Sequence, residues 1–148
     1  MLKLINHVLA VLLFCCLLAD SSVQAQNIKP SSLSVFGEPD GLDGNDCESI
    51  KAYLDFVHIA VMEIDKNQTI IIIARLGGGE NSRKLNHHRL STVSSYLVNS
   101  RAFPKDQVII AEGERVRGLA QVEFYIGGKL HTVFKVKRNR DLVKGCDE

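Results

Sequence analysis

Beyond Ala19 the sequence has no apolar run long enough to cross a bilayer. It also has no excess of charge of either sign: 18 Lys and Arg stand against 17 Asp and Glu, a formal net charge of +1. That balance removes the electrostatic basis for a nucleic-acid partner. Internal repeats and low-complexity tracts are missing, and 148 residues suffice for one domain. Several catalytic signatures are missing too. No G-x-x-x-x-G-K-[ST] occurs, and Gly77-Gly78-Gly79-Glu80-Asn81-Ser82 puts serine where a dinucleotide fingerprint needs its last glycine. No G-x-S-x-G elbow is present for a serine nucleophile. No H-x-x-x-H pair exists, and adjacent helical residues such as His87 and His88 point about 100° apart, so they do not share a metal. These absences argue against an enzyme, a nucleotide, a cofactor and a metal.

What is present begins with a leader. Lys3 precedes the apolar run Val8–Ala19, and Val23 and Ala25 place small residues at the −3 and −1 positions of a cleavage site. The expectation is a signal peptide over residues 1–25, export to the periplasm or the extracellular space, and no membrane span after cleavage. Removing Lys3 and Asp20 with the leader leaves the charge balance unchanged. Cys47 and Cys146 then remain, and an even pair in an oxidising compartment reads as one disulfide. Closing a loop of about 99 residues is worth roughly 4–5 kcal/mol in the chain-entropy view.

Residues 26–45 form a polar N-terminal segment in which Leu33–Phe36 is the one short strand expected. Asp46 is placed to cap a helix from Cys47 to Lys66, with Glu48 in the first turn where the dipole favours an acid. Ile50, Tyr53, Leu54, Val57, Ala60, Val61 and Ile64 recur at spacings of three and four, one apolar stripe. Thr69–Leu76 is apolar on both faces, as an interior strand is. Ser82 is placed to cap a second helix that runs to about Ser100, with Leu85, Leu90, Val93, Tyr96 and Leu97 on its apolar side. Gln107–Ala111 is a further strand. Leu119–Ile126 and Lys129–Lys137 alternate around Gly127-Gly128, a hairpin signal. The order β-α-β-α-β-β-β predicts an α+β two-layer sandwich, two helices on one face of a mixed sheet, over residues 46–148 with a C-terminal hairpin extension.

The stretch "IIIIARLGGGENSRKLNHHR" has the strand, glycine loop and helix of an anion cradle. Arg83, Lys84, His87, His88 and Arg89 crowd the first turns of the helix, against the preference of its dipole. A solvated basic face explains such a cluster as simply as a site does. A carboxylate or phosphate held by backbone N–H groups and an arginine fork is the functional reading. Glu112 and Glu114 flank Gly113 and share a face if the strand extends that far.

"LNHHRLSTVSSYLV", Leu85–Val98, resembles the second-helix signature of OmpA-like peptidoglycan-associating domains, through Leu85, Arg89, Val93, Tyr96 and Leu97. "IIAEGE", Ile109–Glu114, is similar to that family's strand followed by G-x-G-E, and "QVEFYI", Gln121–Ile126, to its closing strand. The resemblance covers about Leu33–Ile126. It implies that Arg89 pairs with the free carboxylate of a diaminopimelate residue in the cell-wall peptide. Arg83 and Lys84 would add an attractive field, and Gly78 and Gly79 backbone donors and room. The family's aspartate after the second strand has no counterpart here, and Glu80 is the nearby acid. Two readings follow: a periplasmic or secreted module that binds peptidoglycan non-covalently, or a relative that kept the fold and serves as an envelope protein-interaction or structural module.

Overall fold

In the computed structural model, residues 33–37, 41–43, 46–65 and 67–142 are described, all within the compact unit Ser31–Glu148. The leader and Cys146 lie outside the described residues. The elements are β1 (Ser34–Phe36), α1 (Cys47–Asp65), β2 (Ile70–Arg75), α2 (Arg83–Ser95), β3 (Val108–Glu112), β4 (Ala120–Ile126) and β5 (Lys129–Val136). The α+β sandwich expected from the alternation of periods is what forms.

The sheet runs β1-β5-β4-β2-β3. β1 is parallel to β5 and β2 to β3, while β4 is antiparallel to both β2 and β5. β1 therefore belongs to the sheet, although residues 26–45 read as a segment apart. The interior strand expected at Thr69–Leu76 is interior, flanked by β4 and β3. Ile70, Ile72 and Ala74 are fully buried beneath the helices, and Ile71 and Ile73 on the other face are half-buried. Arg75 shares that second face and bonds Glu123 across the β2–β4 ladder at 2.8 Å. Gly127 and Gly128 both take positive φ, +57° and +76°, which a two-residue hairpin needs to match the strand twist.

Asp46 caps α1 as its side chain suggested: its Oδ1 accepts the Ser49 N–H at 3.2 Å. Ile50, Leu54, Val57, Ala60 and Val61 carry the stripe into the core. Two residues of α1 depart from the periodic expectation. Ile64 remains 46% exposed in the last turn. Phe56, outside the stripe, sits edge-on to Phe36 at 5.5 Å and is 40% exposed. Ser82 stands at the N-cap of α2 with extended backbone, but its side chain makes no capping bond. Past Ser95 the helix widens into a π segment, Tyr96–Ser100, closed by the Arg101 N–H on the Tyr96 carbonyl.

Phe134 of β5 anchors the aromatic part of the core, with Phe124 at 4.6 Å, Phe36 at 5.8 Å and Tyr53 at 6.2 Å. After β5 the chain turns at Lys137–Arg140 and returns Leu142 to the core with no exposed surface. That return brings backbone groups over the loop between β2 and α2.

Candidate functional site

The loop between β2 and α2 is a tight turn pressed on the start of β4. A Cβ on Gly77 would meet the Ala120 nitrogen at 2.5 Å and the Gly118 carbonyl oxygen at 2.7 Å, so no side chain fits there. Gly78 donates its N–H to the Gly118 carbonyl at 2.8 Å. Gly79 takes a φ of +83°, a left-handed backbone that glycine adopts at no steric cost. The Glu80 N–H then reaches back to the Gly77 carbonyl at 3.3 Å. The turn sends the Glu80 side chain inward.

Glu80 is fully buried, and so is Arg89 of α2. Their side chains meet fork to fork: Arg89 Nη1 donates to Glu80 Oε2 at 3.0 Å and Nη2 to Oε1 at 2.7 Å. The carboxylate also accepts the Gly77 N–H at 2.9 Å and the Asn139 N–H at 2.8 Å. The guanidinium's Nε and Nη2 both donate to the Arg140 carbonyl, at 3.1 and 2.6 Å. Arg115 donates to the carbonyls of Gly77 and Glu80 and ties the loop from the other side. Burial by itself raises the Glu80 pKa. The Arg89 hydrogen bonds, the Gly77 and Asn139 amides and the Arg89 charge outweigh burial and hold the carboxyl below the ordinary glutamate value.

The anion cradle therefore exists, and the chain's own carboxylate fills it. Arg89 does not face solvent, and Glu80 is its partner, with no room between them for an outside ligand. Gly78 and Gly79 shape the turn, while the donor to the carboxylate is the neighbouring Gly77. Arg83 and Lys84 lie exposed on the first turn of α2 and stay out of this lock. The adjacent histidines diverge, as their spacing requires: His87 Nε2 lies 3.1 Å from Glu112 and His88 Nδ1 lies 2.9 Å from Asp141. Glu112 ends β3 and Glu114 lies beyond it, both beside α2.

No family model matches the chain, and no curated protein or solved structure matches it either. The reading of the site rests on its geometry.

Sequence reasoning missed Asn139, Arg140 and Arg115. Asn139 and Arg140 contribute through backbone N–H and C=O groups, which every residue type carries, so their identities hold no signal. Asn139 has a φ of +56°, and the tolerance of asparagine for that conformation is the one legible trace. A groove of about 520 Å³ lies beside the lock, lined by Arg83, Asn86, Glu112, Glu114 and Arg115 among others. Asn86 is fully buried in its wall. Its Nδ2 donates to the Ala74 carbonyl at 3.2 Å and to Glu112 Oε2 at 3.4 Å. Its Oδ1 has no hydrogen-bond partner.

Proposed function

We propose that this chain is an exported envelope module that makes protein contacts, with its arginine site closed by its own glutamate. The observation that carries this reading is the Glu80–Arg89 pair, without solvent exposure on either side chain and with both carboxylate oxygens and three guanidinium nitrogens engaged. A cell-wall carboxylate would have to displace Glu80 and leave it buried and unpaired, a cost of several kcal/mol on the scale of about 3–5 kcal/mol for breaking such pairs. No helix among the described residues is long and apolar enough to cross a membrane. Export itself stands on the leader, which lies outside the described residues.

Isolated sacculi test the reading. The purified chain is expected to remain in the supernatant, and Arg89→Lys to behave the same way. Pelleting of the unaltered chain that free stem peptide competes away, and that Arg89→Lys abolishes, would show that the lock opens and that peptidoglycan is the ligand.

The cysteine pairing belongs to the same proposal. Cys47 opens α1. Pairing with Cys146 predicts a single cross-linked peptide carrying both residues in a non-reducing digest of exported protein. Two alkylatable thiols at these positions would refute it.

A further inference from the structure

The free edge of the sheet has the features of a strand acceptor. β3 is the last strand, paired with β2 alone among the described residues. The Gly113 N–H points to the Ala74 carbonyl of β2 at 2.9 Å. Alternation along the strand then turns the backbone N–H and C=O of Ile109 and Ala111 toward β2 as well, and those of Val108, Ile110 and Glu112 outward. Ile109 and Ile110 are 50% and 49% exposed, and the strand carries none of the lysine or proline residues that usually protect an edge.

Two hollows flank this edge on the helix side. One of about 380 Å³ is lined by Val98, Val108 and Ile110, with Ser94, Ser95, Asn99 and Lys105 around them. The other is the 520 Å³ groove at the end of β3. The second hollow differs in chemistry. The two donor bonds of Asn86 Nδ2 fix the amide, so its Oδ1 is a buried acceptor in want of a donor. The carboxylates of Glu112 and Glu114 line the same space. Of the two arginines there, Arg115 donates to loop carbonyls, and Arg83 is exposed on the first turn of α2. Glu112 already takes Asn86 Nδ2 on Oε2 and His87 Nε2 on Oε1, so Asn86 Oδ1, the Glu114 carboxylate and the remaining lone pairs of Glu112 are the acceptors there, and they match an ammonium, a compact group with three donors.

We infer that β3 accepts an extended segment of a partner protein as an added strand. An apolar side chain of that segment sits over Val108 and Ile110, and a lysine two or four residues away sits against Asn86, Glu112 and Glu114. Main-chain bonds give such an interaction its affinity and alternate side chains its selectivity. The inference rests on the reading of the chain as a protein-contact module and names the surface it would use. A second copy of the chain fits the edge less well. Antiparallel pairing centred on Ile110 sets Asp106 opposite Glu114 and Lys105 opposite Arg115, like charges in both places.

The test uses the exported full chain and fluorescently labelled peptides TVTVTKT and TKTVTVT, which offer both strand directions, with TVTVTET and TETVTVT as counterparts. One lysine peptide is expected to bind, with its glutamate counterpart weaker by about tenfold or more. Ile110→Pro removes an outward N–H and leaves the β2 ladder intact, a position where edge strands tolerate proline. It should abolish binding while the thermal midpoint hardly moves. Glu114→Lys, at an exposed position, should move the preference toward the glutamate peptide. Equal binding of both peptide types, indifference to Ile110→Pro, or no binding by either lysine peptide would overturn the inference. So would a dimer in sedimentation that Ile110→Pro dissolves. The sacculus assay reads the Glu80–Arg89 lock and the peptide assay reads the β3 edge. A failed peptide assay with the chain still in the supernatant removes only this inference, whereas pelleting removes the reading beneath it.

Discussion

Glu80→Ala is expected to cost about 3–5 kcal/mol of folding stability, the range for stranding one partner of a buried ion pair. The truncation leaves the Arg89 guanidinium without its carboxylate and the Gly77 and Asn139 amides without their acceptor, all away from water. For a domain of this size the thermal midpoint should fall by about 10–20 °C. Replacing both partners, Glu80→Leu with Arg89→Met, should recover much of the loss, because an apolar pair leaves no buried charge. Full recovery is not expected, since the Arg140 carbonyl still loses its donors. Denaturant unfolding of the two single variants and the double variant measures the coupling. A single-variant loss below about 1 kcal/mol would mean that the pair is no more than a surface ion pair in strength.

The same pair sets an acid limb. The Glu80 carboxyl titrates below its ordinary value of 4.5 in the folded chain. Its contribution is therefore complete above that value, where the unfolded carboxyl is also ionised, and is lost as pH falls through the lower folded value. Glu80→Gln removes this contribution, so its stability should fall less steeply below about pH 4.5 than that of the unaltered chain. Asp55, held low chiefly by its hydrogen bond from Arg101, keeps some acid dependence in both. Parallel acid limbs would show that Glu80 titrates normally.

Phe134→Ala is the second large effect, also expected at about 3–5 kcal/mol. The ring is fully buried and joins three parts of the fold: Phe36 of β1, Tyr53 of α1 and Phe124 of β4. Removing it opens a cavity that the surrounding sheet cannot close without moving the β4–β5 ladder. Phe134→Leu keeps most of the volume and should cost far less, about 1–2 kcal/mol. Because β5 leads directly into Asn139 and Arg140, Phe134→Ala should also expose Gly77 and Asn139 amides to faster hydrogen exchange than global unfolding explains. A loss under about 1 kcal/mol would place the packing centre elsewhere, among Ile50, Leu54 and Ile72.

Much of the architecture was readable from residue order. Period-two alternation located β4 and β5, and the three-and-four spacing located α1 and α2, because a sheet face and a helix stripe impose those periods on any sequence that buries them. The glycine triplet marked the turn that holds the site, and the resemblance at Leu85–Val98 singled out Arg89. The run "IIII" reads as an interior strand, while "VII" reads only as a further strand with no place in the sheet. β2 is buried between two strands while β3 stands at the rim, and the difference lies in sheet order, which hydrophobicity does not encode.

The sequence by itself determined the elements, their order, and an arginine near a glycine turn with one acid beside it. Tertiary structure decided that this acid turns inward and meets the arginine, and it did so through groups without side-chain identity. The steric need for glycine at position 77, the Asn139 N–H and the Arg140 carbonyl come together only when the chain after β5 folds back across the loop. Whether a carboxylate site is open or filled depends on that long-range closure, because a charge is held or released by everything that surrounds it in space, and neighbours along the chain are a small part of that.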